Sequence, residues 1–249
     1  MLKKERQAYI LKQLDLHNRV LSSSLCMEIQ VSEDTIRRDL QELADNGLVI
    51  KVHGGALSRS FNNFYDHQNP IYSRPGKKII AEKTAKLIRN GMFVLTSGGT
   101  TIQEMARALP PELKATFITG SIPAAIEYMT HPGIDVILIG DKLSKTAKIT
   151  VGGDAIARIR QIRADLCILG INAIDVKHGV TDSDWDVVQI KKAMIESAEN
   201  VICVSILEKT NTCQPIQICT LEDIDILITE SNPNDPRLQP YKDAGIEVI

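Results

Sequence analysis

The 249-residue sequence predicts an α/β protein in two folded parts. A small helical domain closed by a β-hairpin comes first, followed by a larger domain built on a mostly parallel sheet. Three observations carry this. Residues 22–57 hold two short helical patterns split by a tight turn, then a strand ending in paired glycines. From Gly91 onward, continuous apolar runs alternate with helical patterns, as in a parallel sheet covered on both faces. Between the two parts, residues 58–76 carry prolines, asparagines and aromatics without any period, as a linker does.

The bulk composition narrows the function classes. Hydrophobic residues at 43% and charged residues at 24% are those of an ordinary globular protein. No apolar run reaches the ~18 residues of a membrane span. The N-terminal MLKKERQAYILKQL starts basic, but charge soon breaks its apolar run, so it does not read as a signal peptide. The cysteines (Cys26, Cys167, Cys203, Cys213 and Cys219) are odd in number and form no CxxC pair, as expected of buried free thiols in a reducing cytoplasm. The histidines lack ligand spacing, so neither a metal nor a cofactor is expected. The formal charge is −2, yet residues 1–60 hold nine Lys/Arg against eight Asp/Glu, a net of +1 that leaves −3 elsewhere. Attraction to a polyanion must therefore come from local clustering, and pairing two copies would double it.

In the first part, Ile10, Leu11 and Leu14 give an opening helix an inward face. Ser22–Gln30 forms a second helix with Leu25, Cys26 and Ile29 inward. Ser32 is an N-cap followed by Glu33 and Asp34, whose charge suits the positive end of a helix. Ile36, Leu40 and Leu43 recur at helical spacing. The opposite face presents Thr35, Arg37, Arg38 and Gln41, side chains that bond phosphates and base edges. An arginine pair alone is most simply a solvated face; the two-helix spacing before it argues otherwise. Gly47 ends this helix, and Leu48–Val52 forms a strand that turns at Gly54-Gly55. Residues 1–57 thus read as a winged helix-turn-helix.

Val31-Ser32, Thr35-Ile36-Arg37-Arg38-Asp39-Leu40, Leu43, Gly47 and Val52-His53-Gly54-Gly55-Ala56 resemble the signature of DeoR-type bacterial transcription regulators. The resemblance implies double-stranded operator DNA as partner. Ser32, Thr35, Arg37, Arg38 and Gln41 would face the major groove, while Lys51, His53 and Gly54 contact phosphate or minor groove. Lys51 stands where the family usually has Arg, keeping the charge but losing the bidentate fork.

Residues 77–249 follow in order. A helix from Lys77 places Ile79, Ile80, Ala85 and Ile88 at helical spacing. Strands are expected at Met92–Leu95, Thr116–Ile118, Val136–Ile139, Leu166–Leu169, Val201–Val204, Ile224–Ile228 and Ile246–Val248. Helices are expected through Met105 and Leu109, and at Ile122–Met129, Ala155–Ile162 and Val187–Ala198. Ligands of such sheets bind beyond the carboxyl ends of the strands. There the chain places Thr96–Thr101 (TSGGTT), Thr119-Gly120-Ser121, Gly152-Gly153 and Gly170-Ile171-Asn172. Glycines, hydroxyls and helix N-termini in that position suit an anion. In the linker, Phe61, Phe64, Tyr65 and Tyr72 are expected to dock on a domain or a partner subunit.

This half resembles the DeoR effector-binding domain, whose fold is that of ribose-5-phosphate isomerase and related sugar-phosphate enzymes. The resemblance implies a phosphorylated sugar or similar anionic effector, with Ser97, Gly98, Thr100 and Thr101 cradling phosphate. Thr119, Gly120, Ser121, Gly170, Asn172 and Lys209 would complete the pocket. Three positions depart from the family. Thr96 stands for an Asp, Gly120 for an Asn, and Ile206-Leu207-Glu208-Lys209 for an Asp-Ser-Ser-Lys run, so two hydroxyl acceptors are missing. Catalysis is not expected, because Leu169-Gly170-Ile171-Asn172-Ala173 lacks the carboxylates of the isomerases' Asp-Gly-Ala-Asp-Glu run. The sequence thus reads as a homo-oligomeric regulator, dimer or tetramer, expected to be a repressor. The alternatives are an architectural or ligand-independent DNA-binding regulator and, further off, an active sugar-phosphate isomerase.

Overall fold

The computed structural model describes residues 1–17, 19–58 and 71–249. The chain divides into two compact units, Met1–Tyr72 and Ser73–Ile249. Phe61, Phe64 and Tyr65 lie outside the described residues, and Tyr72 is half-buried.

The first unit comprises α1 (Lys3–His17), β1 (Arg19–Leu21), α2 (Ser22–Ile29), α3 (Glu33–Asp45), β2 (Val49–Val52) and β3 (Gly55–Ser58). Its core joins Ile10 and Leu14 of α1, Leu25 of α2, Ile36, Leu40 and Leu43 of α3, and Val49 and Ala56 of the hairpin, with Leu11 at the margin. The strands form an antiparallel sheet in the order β1-β3-β2. At three residues, β1 is too short to announce itself in sequence. Helix α2 has no side-chain cap at its start. Instead Ser22 N–H donates to the Gly54 carbonyl at 2.8 Å, so the wing itself closes the helix start.

Helix α3 follows its local signals. Ser32 Oγ accepts from Thr35 N–H at 3.3 Å. At the other end Gly47 N–H bonds to Ala44 O and Leu48 N–H to Leu43 O, both at 2.8 Å. This pair is the Schellman pattern, and it needs the left-handed φ of +66° that Gly47 adopts without steric cost.

The second unit comprises α4 (Arg74–Ala85), β4 (Phe93–Thr96), α5 (Thr100–Arg107), β5 (Ala115–Thr119), α6 (Ile122–Met129), β6 (Ile134–Leu138), β7 (Lys142–Ser144), β8 (Ile149–Val151), α7 (Gly153–Ile159), β9 (Ala164–Gly170), β10 (Ala173–Asp175), β11 (Gly179–Asp182), α8 (Trp185–Glu196), β12 (Ala198–Val204), β13 (Ile216–Cys219), β14 (Ile226–Ile228), α9 (Gln239–Asp243) and β15 (Glu247–Val248). Seven strands form a parallel sheet in the order β15-β14-β12-β9-β4-β5-β6. The chain steps outward one way through β4, β5 and β6 and the other way through β9, β12 and β14. Right-handed crossovers then put α5 and α6 on one face and α8 on the other. Helices α4, α5 and α6 pack side by side, as do α7 and α8.

Helix α4 begins at Arg74, three residues before the expected Lys77, with Pro75 in its first turn where its missing N–H costs nothing. Two antiparallel pieces were not expected: the β7–β8 hairpin and a sheet ordered β10-β11-β13. Their strands are three or four residues long and carry Asp, Thr, Lys and Gly, so no apolar run marks them. No described helix is long and apolar enough to cross a membrane.

Candidate functional site

Each unit carries a candidate surface. In the first, the outward face of α3 presents Ser32, Arg37, Arg38 and Gln41 to solvent, with Thr35 half-buried between them. Ser32 and Thr35 share a hydroxyl–hydroxyl bond of 2.9 Å. Arg37 lies 3.6 Å from Asp34, both being largely exposed. Arg38 makes no ion pair among the described residues. Lys51 on β2 donates to Gln41 Oε1 at 2.8 Å, and Gln41 Nε2 to Asp45 at 2.7 Å, which ties the wing to the helix. His53 and Gly54 stand exposed at the wing tip.

A residue that sequence reasoning passed over holds this face in place. Asp39, on the inner side of α3 and only 2% exposed, receives the Arg6 guanidinium of α1 in a two-pronged ion pair. The second prong, Arg6 Nη2 to Asp39 Oδ1, measures 3.1 Å. Such a fork fixes angle as well as distance.

In the second unit α5, α6, α7 and α8 start at the carboxyl ends of strands, and their N-termini differ. At α8 the Asp184 carboxylate accepts the Asp186 and Val187 N–H groups at 3.1 and 3.3 Å. At α6 the Lys148 carbonyl accepts Ile122 N–H at 3.1 Å, Ser121 Oγ accepts Ala124 N–H at 3.4 Å, and Pro123 has no N–H. At α7 the Asp141 carboxylate reaches in from the loop after β6 and accepts Ala155 N–H at 3.0 Å. Its approach requires glycine at 152, since a Cβ there would sit 2.4 Å from Asp141 Oδ2. These amide bonds hold the Asp141 carboxyl below its ordinary pKa. The turn Gly152-Gly153 is therefore filled by the chain's own acid. At α5, by contrast, the N–H groups of Gly98, Gly99, Thr100 and Thr101 find no acceptor among the described residues. Of these four helix starts, α5 alone is open among the described residues.

The remaining expected site residues fall around this start. Ser97 is buried, and its Oγ accepts Gly170 N–H at 2.9 Å, joining the ends of β4 and β9. Thr119 and Ser121 are buried with their hydroxyls turned inward. Thr119 Oγ1 donates to Thr96 O at 2.9 Å and accepts Ser121 N–H at 3.1 Å. Gly120 is half-buried, its carbonyl taken by Thr150 N–H at 2.8 Å. Thr96, at the position of the family's Asp, is also buried and its hydroxyl is used by Tyr128 at 3.1 Å. Ile206 is buried as well.

Next to Gly170 lies a charged cluster that sequence reasoning saw only in part. Lys209, half-buried, donates to Ile171 O at 3.3 Å and stands 3.5 Å from Asn172 Oδ1. Asn172 Nδ2 donates to Asp182 Oδ1 at 3.1 Å. Asp182 Oδ2 accepts from Lys191 Nζ at 2.9 Å, both side chains being buried. Burial pushes the Asp182 carboxyl up, but Lys191, Asn172 and the Ser183 N–H outweigh it and hold the group below its ordinary value. Burial, and then the positive charges of Lys77 and Lys191, push the Lys209 ammonium down to about 7, with Asp182 pulling the other way. Lys191 is thus paired with Asp182, and Lys209 lies within electrostatic reach of Lys77, Lys191 and Asp182. No described group of His, Cys, Asp and Glu could hold a metal ion.

With this geometry in view, the comparisons are specific. A model described as the DeoR-like helix-turn-helix domain matches residues 6–61, and one described as the DeoR C terminal sensor domain matches residues 73–231. The HTH-type transcriptional regulator GlpR of Haloferax volcanii is 32% identical over 252 residues, covering 100% of this chain and 98% of its own. The glycerol-3-phosphate regulon repressor of Escherichia coli K12 is 29% identical over 249 residues, covering 100% and 99%. Ribose 5-phosphate isomerase A from Methanocaldococcus jannaschii aligns with a TM-score of 0.39 at 16% identity, over 54% of this chain and 53% of that one. The chain belongs to the DeoR family of transcriptional regulators. It is a DNA-binding regulator with a helix-turn-helix domain and a sensor domain, and its full-length relatives are regulators, not enzymes.

Proposed function

We propose that this chain is a repressor whose second unit senses a small phosphorylated sugar or polyol and whose first unit reads operator DNA. The α3 face with Ser32, Thr35, Arg37, Arg38 and Gln41 enters the major groove, while Lys51, His53 and Gly54 of the wing meet the backbone or minor groove. The effector's phosphate lies on the open amides of Gly98 to Thr101, with the Thr100 and Thr101 hydroxyls beside it. Lys209 supplies the facing cation, and Asn172 and Gly120 line the rest. Ser97, Thr119, Ser121 and Gly170 hold the loops in shape.

The observation that carries this is the pairing of an unfilled helix start with a lysine cluster. Lys209, bonded to the Ile171 carbonyl beside Gly170, and the open amides of α5 would both gain from the charge of a phosphate dianion. A neutral sugar would offer them no counter-charge. The relatives' name for a glycerol-3-phosphate regulon agrees with a ligand of this size and charge.

Thermal denaturation of the full chain against sugar phosphates, glycerol 3-phosphate, the parent sugars and inorganic phosphate tests the reading. A phosphorylated ligand at 100 times its Kd should stabilise by about 2.7 kcal/mol, a few degrees for a domain of this size, while its unphosphorylated parent does nothing. Absence of any shift with every phosphate ester sinks the sensor assignment and favours a ligand-independent regulator.

A further inference from the structure

The outermost strand of the seven-stranded sheet, β6, is left bare on more than one side. Ile137 is the register partner of Ile118 on β5, so the two side chains point to the same face. Ile118 lies in the core beneath α7 and α8 and is 1% exposed, whereas Ile137 is 45% exposed. The helix layer therefore stops one strand short. On the opposite face, Leu138 pairs with the fully buried Thr119 but is itself 48% exposed. Ile126 and Met129, on the helix α6 that packs against β6, are 46% and 73% exposed and extend the apolar surface.

The strand edge is open too. Among the described residues β6 pairs only with β5, so its outward N–H and C=O groups have no ladder partner there. Exposed edges are normally blunted by lysine, proline or a bulge. β6 has none of these, and Asp135 is its sole charge.

We propose that β6 pairs antiparallel with β6 of a second copy of this chain across a two-fold axis, joining two seven-stranded sheets into one. A partner for this surface must offer a free strand edge and apolar side chains on both strand faces, and β6 itself offers both. Charge selects the orientation. Asp135 lies near the start of the strand and Lys142, also exposed, lies just beyond its end. Antiparallel pairing brings each toward the other's counterpart, while parallel pairing would set like charges together. The contact is isologous, so it closes at two copies and leaves no strand edge to propagate. It also brings two DNA-reading units into one particle, each with a net charge of only +1 over residues 1–60.

Sedimentation equilibrium of the full chain, wild type and Ile137→Lys/Leu138→Lys, tests this. Both positions are exposed, so the variant should melt like wild type, and a circular-dichroism melt checks that it does. The wild type should be a dimer or a multiple of one. In the variant the dissociation constant for pairing should rise at least about a hundredfold, since it would bury unpaired lysines. Asp135→Lys should weaken pairing, and adding Lys142→Asp should restore it. A monomeric wild type overturns the proposal. So does a folded variant whose assembly is unchanged, which would give the patch to another segment of the chain or to a different protein.

Discussion

At the scale of single residues, Lys209 is the group whose chemistry varies near neutral pH. Its ammonium is held down to about 7 by burial and by Lys77 and Lys191, with Asp182 the one opposing charge. An unfolded lysine titrates near 10.4. Between about 7 and that value the unfolded chain binds the extra proton, so this group makes the ligand-free fold more stable as pH rises through that window. Anion binding runs the other way, because only the protonated form attracts phosphate. The affinity for a phosphate ester should therefore be highest near pH 7 and fall above it, by at most about tenfold per pH unit. The ester's own second pKa near 6 keeps its charge constant over that range. Binding above pH 7 should take up a proton, visible by titration calorimetry in buffers of different ionisation enthalpy. Lys209→Arg should flatten the profile, and Lys209→Met should weaken binding at every pH. A profile that stays steep in Lys209→Met would assign the titration elsewhere.

At the scale of elements, α3 separates two kinds of residue that are adjacent in sequence. Arg38 faces out and makes no ion pair among the described residues; Asp39 faces in and is gripped by Arg6. Arg38→Ala should leave the unfolding midpoint unchanged and cost about 1–3 kcal/mol in operator binding. Asp39→Ala should instead lower the stability of the DNA-binding unit by about 1.5–3 kcal/mol, as loss of a hydrogen-bonded charge does. Urea unfolding beside operator titration of both variants distinguishes them, and wild-type operator affinity in Arg38→Ala would remove α3 from the DNA interface. Elements of this kind were legible because their signals are local: a cap at Ser32, a stripe from Ile36 to Leu43, a glycine at 47. The parallel strands were legible through their apolar runs. The hairpin β7–β8 and the sheet β10-β11-β13 were not, since tertiary pairing rather than pattern makes them strands. Two site lysines did leave a trace. Lys77 shares a helical stripe with Ile80, Ala81 and Thr84, and Lys191 with Val187 and Met194, so each is a cation where an apolar side chain belongs. Which helix start stays open could not be read, because Asp141, just before the β7–β8 hairpin, closes α7 and Lys148, in the turn of that hairpin, closes α6.

At the scale of the molecule, the face proposed to read DNA and the proposed anion site belong to different units, so any communication between them is a difference in affinity. An effector can change operator binding only by as much as it prefers the state that does not bind DNA. The factor is commonly about 5–150-fold, and linkage requires operator DNA to weaken effector binding by the same factor. With the phosphate ester that raises the melting temperature as probe, operator affinity should fall within that range. Ester affinity measured on the operator-bound protein should fall equally. Both titrations need fixed salt, because counterion release alone shifts operator affinity, and a two-copy particle has about twice the slope of one copy. Equal factors would mean that a two-state change within one assembly couples the sites. A larger loss of operator affinity in dilute than in concentrated protein would mean that the effector acts by separating copies, and Ile137→Lys/Leu138→Lys should then be insensitive to it. An ester that binds tightly and moves neither affinity would make the second unit a ligand-binding domain without control over the first.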